Sequence, residues 1–171
     1  RRTGTFSSVS FQEAENAQPD GTINFTATVE DMPPRRLTFG AEVSSTEGLS
    51  VTTSWMHRNL FGGAEKLRFE ARISGIGGSD DIDGRVALRL DRPATLGSDD
   101  NIFYMTEAES LDQEHFTAVH GMGGIGVRRV YSDQLYGEAL LGLDSILATD
   151  AFGKRRYKYV FGSLRAAFDG R

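Results

Sequence analysis

From residue 35 to the last residues of the chain, apolar and polar side chains alternate in eight successive segments, and no helical spacing separates them. The third segment shows the pattern: its apolar members are Leu67, Phe69, Ala71 and Ile73, and its charged members are Arg68, Glu70 and Arg72. Because successive side chains of a β-strand point to opposite sides, each segment predicts a strand with one apolar and one charged face. The unbroken succession predicts an antiparallel up-and-down meander of about eight strands.

The composition favours an all-β membrane barrel as the setting of this meander. The 171 residues include 20 glycines and only 4 prolines, which suits strands joined by turns. Mean hydropathy is −0.35, and no run reaches the ~18 apolar residues of a spanning helix. In a barrel strand only every second side chain faces lipid, so moderate hydropathy is expected. The segments have about 9–11 residues, the length of a tilted membrane strand. A water-soluble sandwich also alternates, and it stays open as the alternative.

The connections alternate between two ends of the predicted sheet. If the first strand leaves the periplasm, the surface joins are residues 45–48, 75–84, 111–114 and 148–154, and the periplasmic joins are residues 59–65, 92–99 and 132–134. Outer-membrane barrels have longer loops at the surface, and the chain follows that rule only in part.

Residues 1–34 follow a different pattern. Phe6 and Phe11 mark one short strand, and residues 23–30 alternate as a second. Between them, residues 16–21 read Asn-Ala-Gln-Pro-Asp-Gly, a polar turn cluster. Two consecutive prolines then end the unit, because proline cannot continue a ladder. The sequence therefore predicts a domain boundary after residue 34.

Two neighbouring stretches carry a resemblance to a known family. Residues 35–42 read Arg-Arg-Leu-Thr-Phe-Gly-Ala-Glu, and residues 55–65 read Trp-Met-His-Arg-Asn-Leu-Phe-Gly-Gly-Ala-Glu, with a Glu47-Gly48 turn between them. Together they resemble the junction between the last POTRA module and the barrel in the BamA/TamA superfamily of outer-membrane assembly factors, closest to TamA-like proteins. Gly4 to Val9 and Ile23 to Glu30 resemble strands of a POTRA module.

The resemblance implies a domain organisation and a location. Residues 1–34 would be the C-terminal part of a POTRA module, and residues 35–171 the N-terminal half of an outer-membrane β-barrel. Phe168-Asp169-Gly170-Arg171 resembles a strand end midway round such barrels, and the family's barrels have more strands than this chain provides. We therefore expect an excerpt from a longer, exported polypeptide, set in the outer membrane of a Gram-negative bacterium with its N-terminal segment in the periplasm.

The resemblance also implies a non-enzymatic function, the insertion or translocation of β-barrel and autotransporter-type proteins. The first barrel strand would act as a template whose backbone pairs with an incoming strand. Its residues are Leu37, Thr38, Phe39, Gly40, Ala41, Glu42 and Val43. The expected partners are membrane lipid, unfolded outer-membrane or autotransporter substrates, and a periplasm-spanning partner subunit.

If the sheet closes, its charged face lines a wet lumen. The lumen-facing charges predicted from the alternation are Arg68, Glu70, Arg72, Arg85, Arg89, Glu138 and Arg165, accompanied by Glu107, Glu109 and Asp144. Aromatic residues near strand ends predict belts at the lipid headgroup level. They are Trp55, Phe61, Phe103, Tyr104, Tyr131, Tyr136, Phe152 and Tyr157.

Motifs for other chemistry are weak. Residues 121–126, Gly-Met-Gly-Gly-Ile-Gly, match G-x-G-x-x-G, but a dinucleotide site needs a following helix, and polar alternation surrounds this one. A strand thinned by glycines, which bends the sheet or admits a bulky neighbour, is the better interpretation. Asp80, Asp81 and Asp83 lack the further ligands of a calcium loop.

No cofactor or metal is expected. The three histidines, His57, His115 and His120, do not form a zinc-enzyme pattern, and there is no cysteine to supply a thiolate. The net charge of −5 argues against general affinity for nucleic acid. Three other functions stay open: a two-partner-secretion-type translocation pore, the anchoring barrel of a secreted hydrolase, and a soluble β-rich binding domain.

Overall fold

The computed structural model describes residues 6–16, 18–45, 48–78, 82–113 and 116–170. The chain divides into two compact units, Arg1–Pro34 and Arg35–Arg171. Within the described residues, no helix has the length and apolar character needed to cross a membrane.

The first unit is an antiparallel pair of strands, β1 (Phe6–Glu13) and β2 (Phe25–Asp31). In the turn between them, the Asp20 carboxylate accepts hydrogen bonds from the backbone N–H of Thr22 at 3.0 Å and from its hydroxyl at 2.7 Å. Such a side-chain turn is typical of aspartate. The second strand begins two residues later than the alternation predicts, since Ile23 still belongs to the connection.

The second unit is one eight-stranded antiparallel sheet in which each strand pairs with the next along the chain. The strands are β3 (Arg35–Ser44), β4 (Gly48–Arg58), β5 (Lys66–Ile76), β6 (Asp83–Pro93), β7 (Asp100–Gln113), β8 (Phe116–Val130), β9 (Leu135–Asp150) and β10 (Gly153–Phe168). The spatial order equals the sequence order, without the crossover of a Greek key among the described strands. The predicted eight-stranded meander is confirmed.

The later strands are longer than the sequence predicts. β7 to β10 have 14, 15, 16 and 16 residues. The sequence predicts a connection over residues 148–154, which contain the turn formers Asp150 and Gly153. In the structure these two residues pair with each other, so only two residues connect β9 and β10. Gly153 has φ 111°, a left-handed conformation that lets the chain reverse this tightly.

Few apolar side chains of the described sheet are buried. Among the described residues, Phe103 and Ala118 are the only large or small hydrophobic side chains that are buried, and Phe103 is the more completely buried of the two. Large apolar side chains such as Leu141 and Leu164 are 60% and 89% exposed.

Candidate functional site: the charged face and the edge strand

The strand register assigns alternate residues of the sheet to two faces. Arg68 on β5 lies opposite Arg89 on β6, and their neighbours Phe69 and Leu88 lie opposite each other. Because side chains alternate along a strand, the first pair belongs to one face and the second pair to the other. We call these the charged face and the apolar face. The predicted charges Arg68, Glu70, Arg72, Arg85, Arg89, Glu138 and Arg165 all occupy charged-face positions.

Asp91 is the buried centre of a polar cluster on the charged face. Only 6% of the residue is exposed. Its carboxylate contacts the guanidinium of Arg68 at 2.5 Å and that of Arg89 at 3.0 Å, and it accepts a hydrogen bond from the side-chain amide of Asn101 at 3.1 Å. A carboxylate removed from water needs such partners to remain charged. Three strands are therefore joined through one side chain.

The ring of Phe103 packs beneath this cluster. Phe103 is 1% exposed, and the guanidinium carbon of Arg89 lies 3.9 Å from its ring centre. On the other side the ring covers Gly126, directly opposite on β8, where any Cβ would overlap it. Gly126 is the last glycine of the G-x-G-x-x-G stretch, which lies wholly within β8 and is not followed by a helix. Of the two roles predicted for these glycines, admission of a bulky neighbour is confirmed at Gly126, whereas a Cβ at Gly121 would meet nothing within 4 Å.

The glycines recur on the next strand. Gly124 on β8 lies directly opposite Gly142 on β9. A Cβ at Gly142 would come within 2.5 Å of the Phe161 ring, which is its partner on β10. A phenyl ring thus covers a glycine in the neighbouring strand at two places on the charged face.

A second ion-pair cluster follows along the same face. Arg85 contacts Glu107 at 2.6 Å and Glu70 at 3.6 Å, so it bridges from β6 to both neighbouring strands. Arg72 lies directly opposite Arg85 in the ladder. The side chains of these three strands line a hollow of about 520 Å³ together with Arg36, Thr38, Ser54 and Met56 from β3 and β4.

His120 forms a third cluster with acidic residues of the adjacent strands. Its Nε2 lies 3.0 Å from the Asp144 carboxylate, and its Nδ1 lies 3.9 Å from that of Glu109. Ligand atoms of Glu107, Glu109 and His120 lie within 4.8 Å of one another. Because Arg85 already holds the Glu107 carboxylate, a metal ion would meet a competing cation there. The geometry favours a hydrogen-bonded cluster over a metal centre.

The charged face continues to β10. Arg128 contacts Glu138 at 2.7 Å and lies over the ring of Tyr136, with 5.0 Å between the guanidinium carbon and the ring centre. Arg165 lies opposite Glu138 from the other side.

The predicted template residues Leu37 to Val43 all lie in β3, at one edge of the sheet. Among the described strands β3 pairs only with β4, and β10 forms the opposite edge. Leu37, Phe39 and Val43 point to the apolar face and are exposed, Val43 by 80%. A Cβ at Gly40 would meet nothing within 4 Å. One side of this strand thus offers backbone donors and acceptors to a further strand.

The connection between β4 and β5 is organised by Glu65. Its carboxylate accepts backbone N–H bonds from Phe61 at 3.3 Å and Gly63 at 3.0 Å, and its carbonyl accepts one from Asn59 at 2.6 Å. Burial alone would raise the pKa of Glu65, but the backbone N–H donors, aided by the charge of Arg92, outweigh it and lower that pKa. The stretch that carries the family resemblance therefore contains a compact, charge-stabilised turn.

The predicted aromatic belt is wrong for three of its eight residues. Phe103, Tyr136 and Tyr157 occupy charged-face positions, where they pack against arginines or, for Tyr157, against the ring of Tyr159. The face to which a side chain points is set by the alternation of residues along the strand, not by how near the residue lies to the strand end. Trp55 and Tyr104 are on the apolar face, and Phe61, Tyr131 and Phe152 lie in connections.

Sequence reasoning missed the pairings themselves. The partners Asp91 and Arg68 are 23 residues apart, and His120 and Asp144 are 24 apart, so no local motif reveals them. The register of the ladder would have predicted both pairs, had the turn lengths been known. Asp80, Asp81 and His115 lie outside the described residues.

Comparison with solved structures identifies the fold. The chain is similar to the crystal structure of BamA from Haemophilus ducreyi lacking POTRA domains 1–3, with a TM-score of 0.68 at 12% sequence identity. The fold is that of BamA-type barrel strands. The match covers 97% of this chain and 35% of that chain, so this chain spans about a third of the length of the BamA structure. No family model and no curated protein matches the sequence.

Proposed function

We propose that this chain belongs to a non-enzymatic assembly factor that inserts or translocates β-barrel and autotransporter-type proteins in a Gram-negative outer membrane. Residues 1–34 are the end of a POTRA module in the periplasm, and residues 35–171 are the N-terminal half of the barrel. The BamA-like arrangement of the strands supports this proposal.

The observation that carries the proposal is the free side of β3. Its backbone has a hydrogen-bonded neighbour on one side only among the described strands, and its apolar side chains are exposed. Unpaired backbone groups are costly in lipid, so an incoming strand gains hydrogen bonds by pairing there. The edge strand acts through its backbone, and its alternate side chains face lipid and lumen.

Site-specific crosslinking tests the template directly. Because residues 1–171 contain no cysteine, Ala41→Cys can be introduced into β3 of the full-length protein without competing thiols from this segment. A stalled barrel-protein substrate carrying one cysteine at a time along its strands supplies the second thiol. We expect disulfide formation at Ala41→Cys with a periodicity of two along one substrate strand.

The matched control is Ala71→Cys. Ala71 lies on the same face as Ala41 but in β5, which is paired with β4 and β6 on its two sides and offers no free edge. Equal crosslinking at both positions, or none at Ala41→Cys, would overturn the template role.

A passive translocation pore is the second candidate, and the hollow of about 520 Å³, whose lining includes Arg68, Arg85 and Glu107, favours it. A pore conducts ions without substrate, so single-channel recordings of the full-length protein in planar bilayers separate the two functions. Conductance that responds to Arg85→Gln, together with absence of crosslinking at β3, would favour the pore.

A further inference from the structure

Three cations stand in a row on the apolar face of β10. Lys154, Arg156 and Lys158 occupy alternate positions that continue into Val160 and Leu164. All three cations are exposed. No other strand of the described sheet places more than one lysine or arginine on this face.

Nothing in the described part of the chain neutralises this row. The residues opposite Lys154, Arg156 and Lys158 on β9 are Thr149, Leu147 and Ser145, which carry no charge. Arg155, between them on the other face, contacts Asp150 at 3.0 Å. The same short segment therefore contains a paired cation toward the charged face and three unpaired cations toward the apolar face.

The position of the row along the strand matches a lipid headgroup region. From Val160 to Phe168 the apolar-face positions of β10 carry no charge. Eight residues span about 26 Å along a strand and about 19 Å of depth at a tilt of ~45°, close to the ~25 Å apolar band of an outer-membrane barrel. Lys158 and Arg156 then lie about 5 and 9 Å further out in depth than Val160, so that Lys158 is at the boundary of the apolar band and Arg156 is outside it.

We propose that Lys154, Arg156 and Lys158 form a binding site for a lipid whose headgroup carries phosphate monoesters. The inference rests on the proposed outer-membrane location. A phosphate monoester carries up to two negative charges and three acceptor oxygens, which lysine and arginine bind with charge-assisted hydrogen bonds. The apolar side chains immediately along the strand, Val160 and Leu164, contact the acyl chains of the same lipid.

The test measures binding of diphosphoryl lipid A to the full-length protein folded in a zwitterionic detergent. The triple variant Lys154→Gln, Arg156→Gln, Lys158→Gln is compared with Arg155→Gln, which removes a cation of the same strand from the other face. Each surface cation strengthens binding to an anionic lipid by roughly fivefold, so we expect the triple variant to lose between about tenfold and a hundredfold in affinity. Arg155→Gln retains wild-type affinity.

Two further measurements keep the result interpretable. Heat-modifiable gel mobility shows whether each variant is folded, and the conservative triple variant Lys154→Arg, Arg156→Lys, Lys158→Arg should keep its affinity. Phosphatidylglycerol, whose phosphate is a diester, should bind more weakly than diphosphoryl lipid A.

Unchanged lipid A binding by the folded triple variant would overturn the site, as would equal affinity for phosphatidylglycerol. Failure of the proposed assembly function has a different signature, because it appears as absent crosslinking at β3 while lipid binding persists.

Discussion

The two faces of the eight-stranded sheet are completed in different ways. On the charged face, Asp91, Arg85 and His120 each contact side chains from neighbouring strands of the same chain. On the apolar face, Leu141 and Leu164 remain exposed.

The difference shows which solvent each face requires. Charged groups are satisfied by partners within the sheet and by water, whereas exposed leucines gain free energy only when something apolar covers them. Ion pairs that join successive strands hold the register from one side, so the other side is free to contact hydrocarbon. The covering material is lipid in the proposed function.

Exchanging a leucine for arginine on each face should give the largest effect. Leu141→Arg places a charge on the apolar face and should cost about 2–4 kcal/mol of unfolding free energy near the bilayer midplane. The adjacent Leu140→Arg places the same charge on the charged face and should cost less than half as much. Urea unfolding of the full-length protein in lipid vesicles measures both. Equal costs would contradict the assignment of the faces.

Removing the Asp91 carboxylate from the charged face should cause the second largest loss of unfolding free energy. Asp91→Ala leaves Arg68 and Arg89 without their shared counterion, and we expect a loss of about 2–3 kcal/mol, below the full value for a buried pair because the Arg68 side chain is half exposed. The same unfolding titration measures it.

A double variant provides the control for Asp91→Ala. When Arg68→Met is already present, Asp91→Ala should cost less, since one of the two unpaired charges is gone. An identical cost in both backgrounds would show that the contact between Asp91 and Arg68 does not stabilise the sheet.

Gly126→Ala tests the ring that packs beneath the charged cluster. The new Cβ would overlap Phe103, and displacement of the ring should cost about 1–2 kcal/mol. Gly121→Ala in the same strand, where a Cβ meets nothing within 4 Å, is the matched control and should be neutral or slightly stabilising. A neutral Gly126→Ala would mean that both the Phe103 ring and the backbone carbonyl of Ala139, which would lie 2.7 Å from the new Cβ, have room to move.

The smallest expected effect concerns pH and the turn at Glu65. A lowered folded-state pKa stabilises the fold at neutral pH, and this contribution disappears as pH falls through the unfolded-state and then the folded-state pKa. Between about pH 3 and pH 6, wild type should therefore lose stability relative to Glu65→Gln as the solution becomes more acidic. If the unfolding free energies of the two proteins change with pH in the same way, the turn is not stabilised by the charge of Glu65.

The sequence predicts the strands and their faces because both follow from local spacing. Leu67 to Ile73 alternate so regularly that the strand and its orientation follow from period two alone. The end of β9 is less predictable, because Asp150 and Gly153 are turn formers whether they begin a long loop or a tight reversal.

The contacts of the charged face follow from register, which the local sequence does not contain. Phe103 was expected at the membrane interface because it is aromatic and near a strand end. Its burial depends on Gly126, which lies opposite it on the next strand. The polar clusters at Asp91 and His120 have the same origin, since each joins residues that the ladder brings together from separate strands.

The paired glycines where β8 meets β9 affect how the sheet can curl. At Gly124 and Gly142 neither strand adds a Cβ to the charged face, and the Phe161 ring of β10 fills the space over Gly142 instead. Bending toward that face therefore meets one ring rather than a ring and two further side chains, so the wall can curl more tightly along this line than where both strands carry side chains.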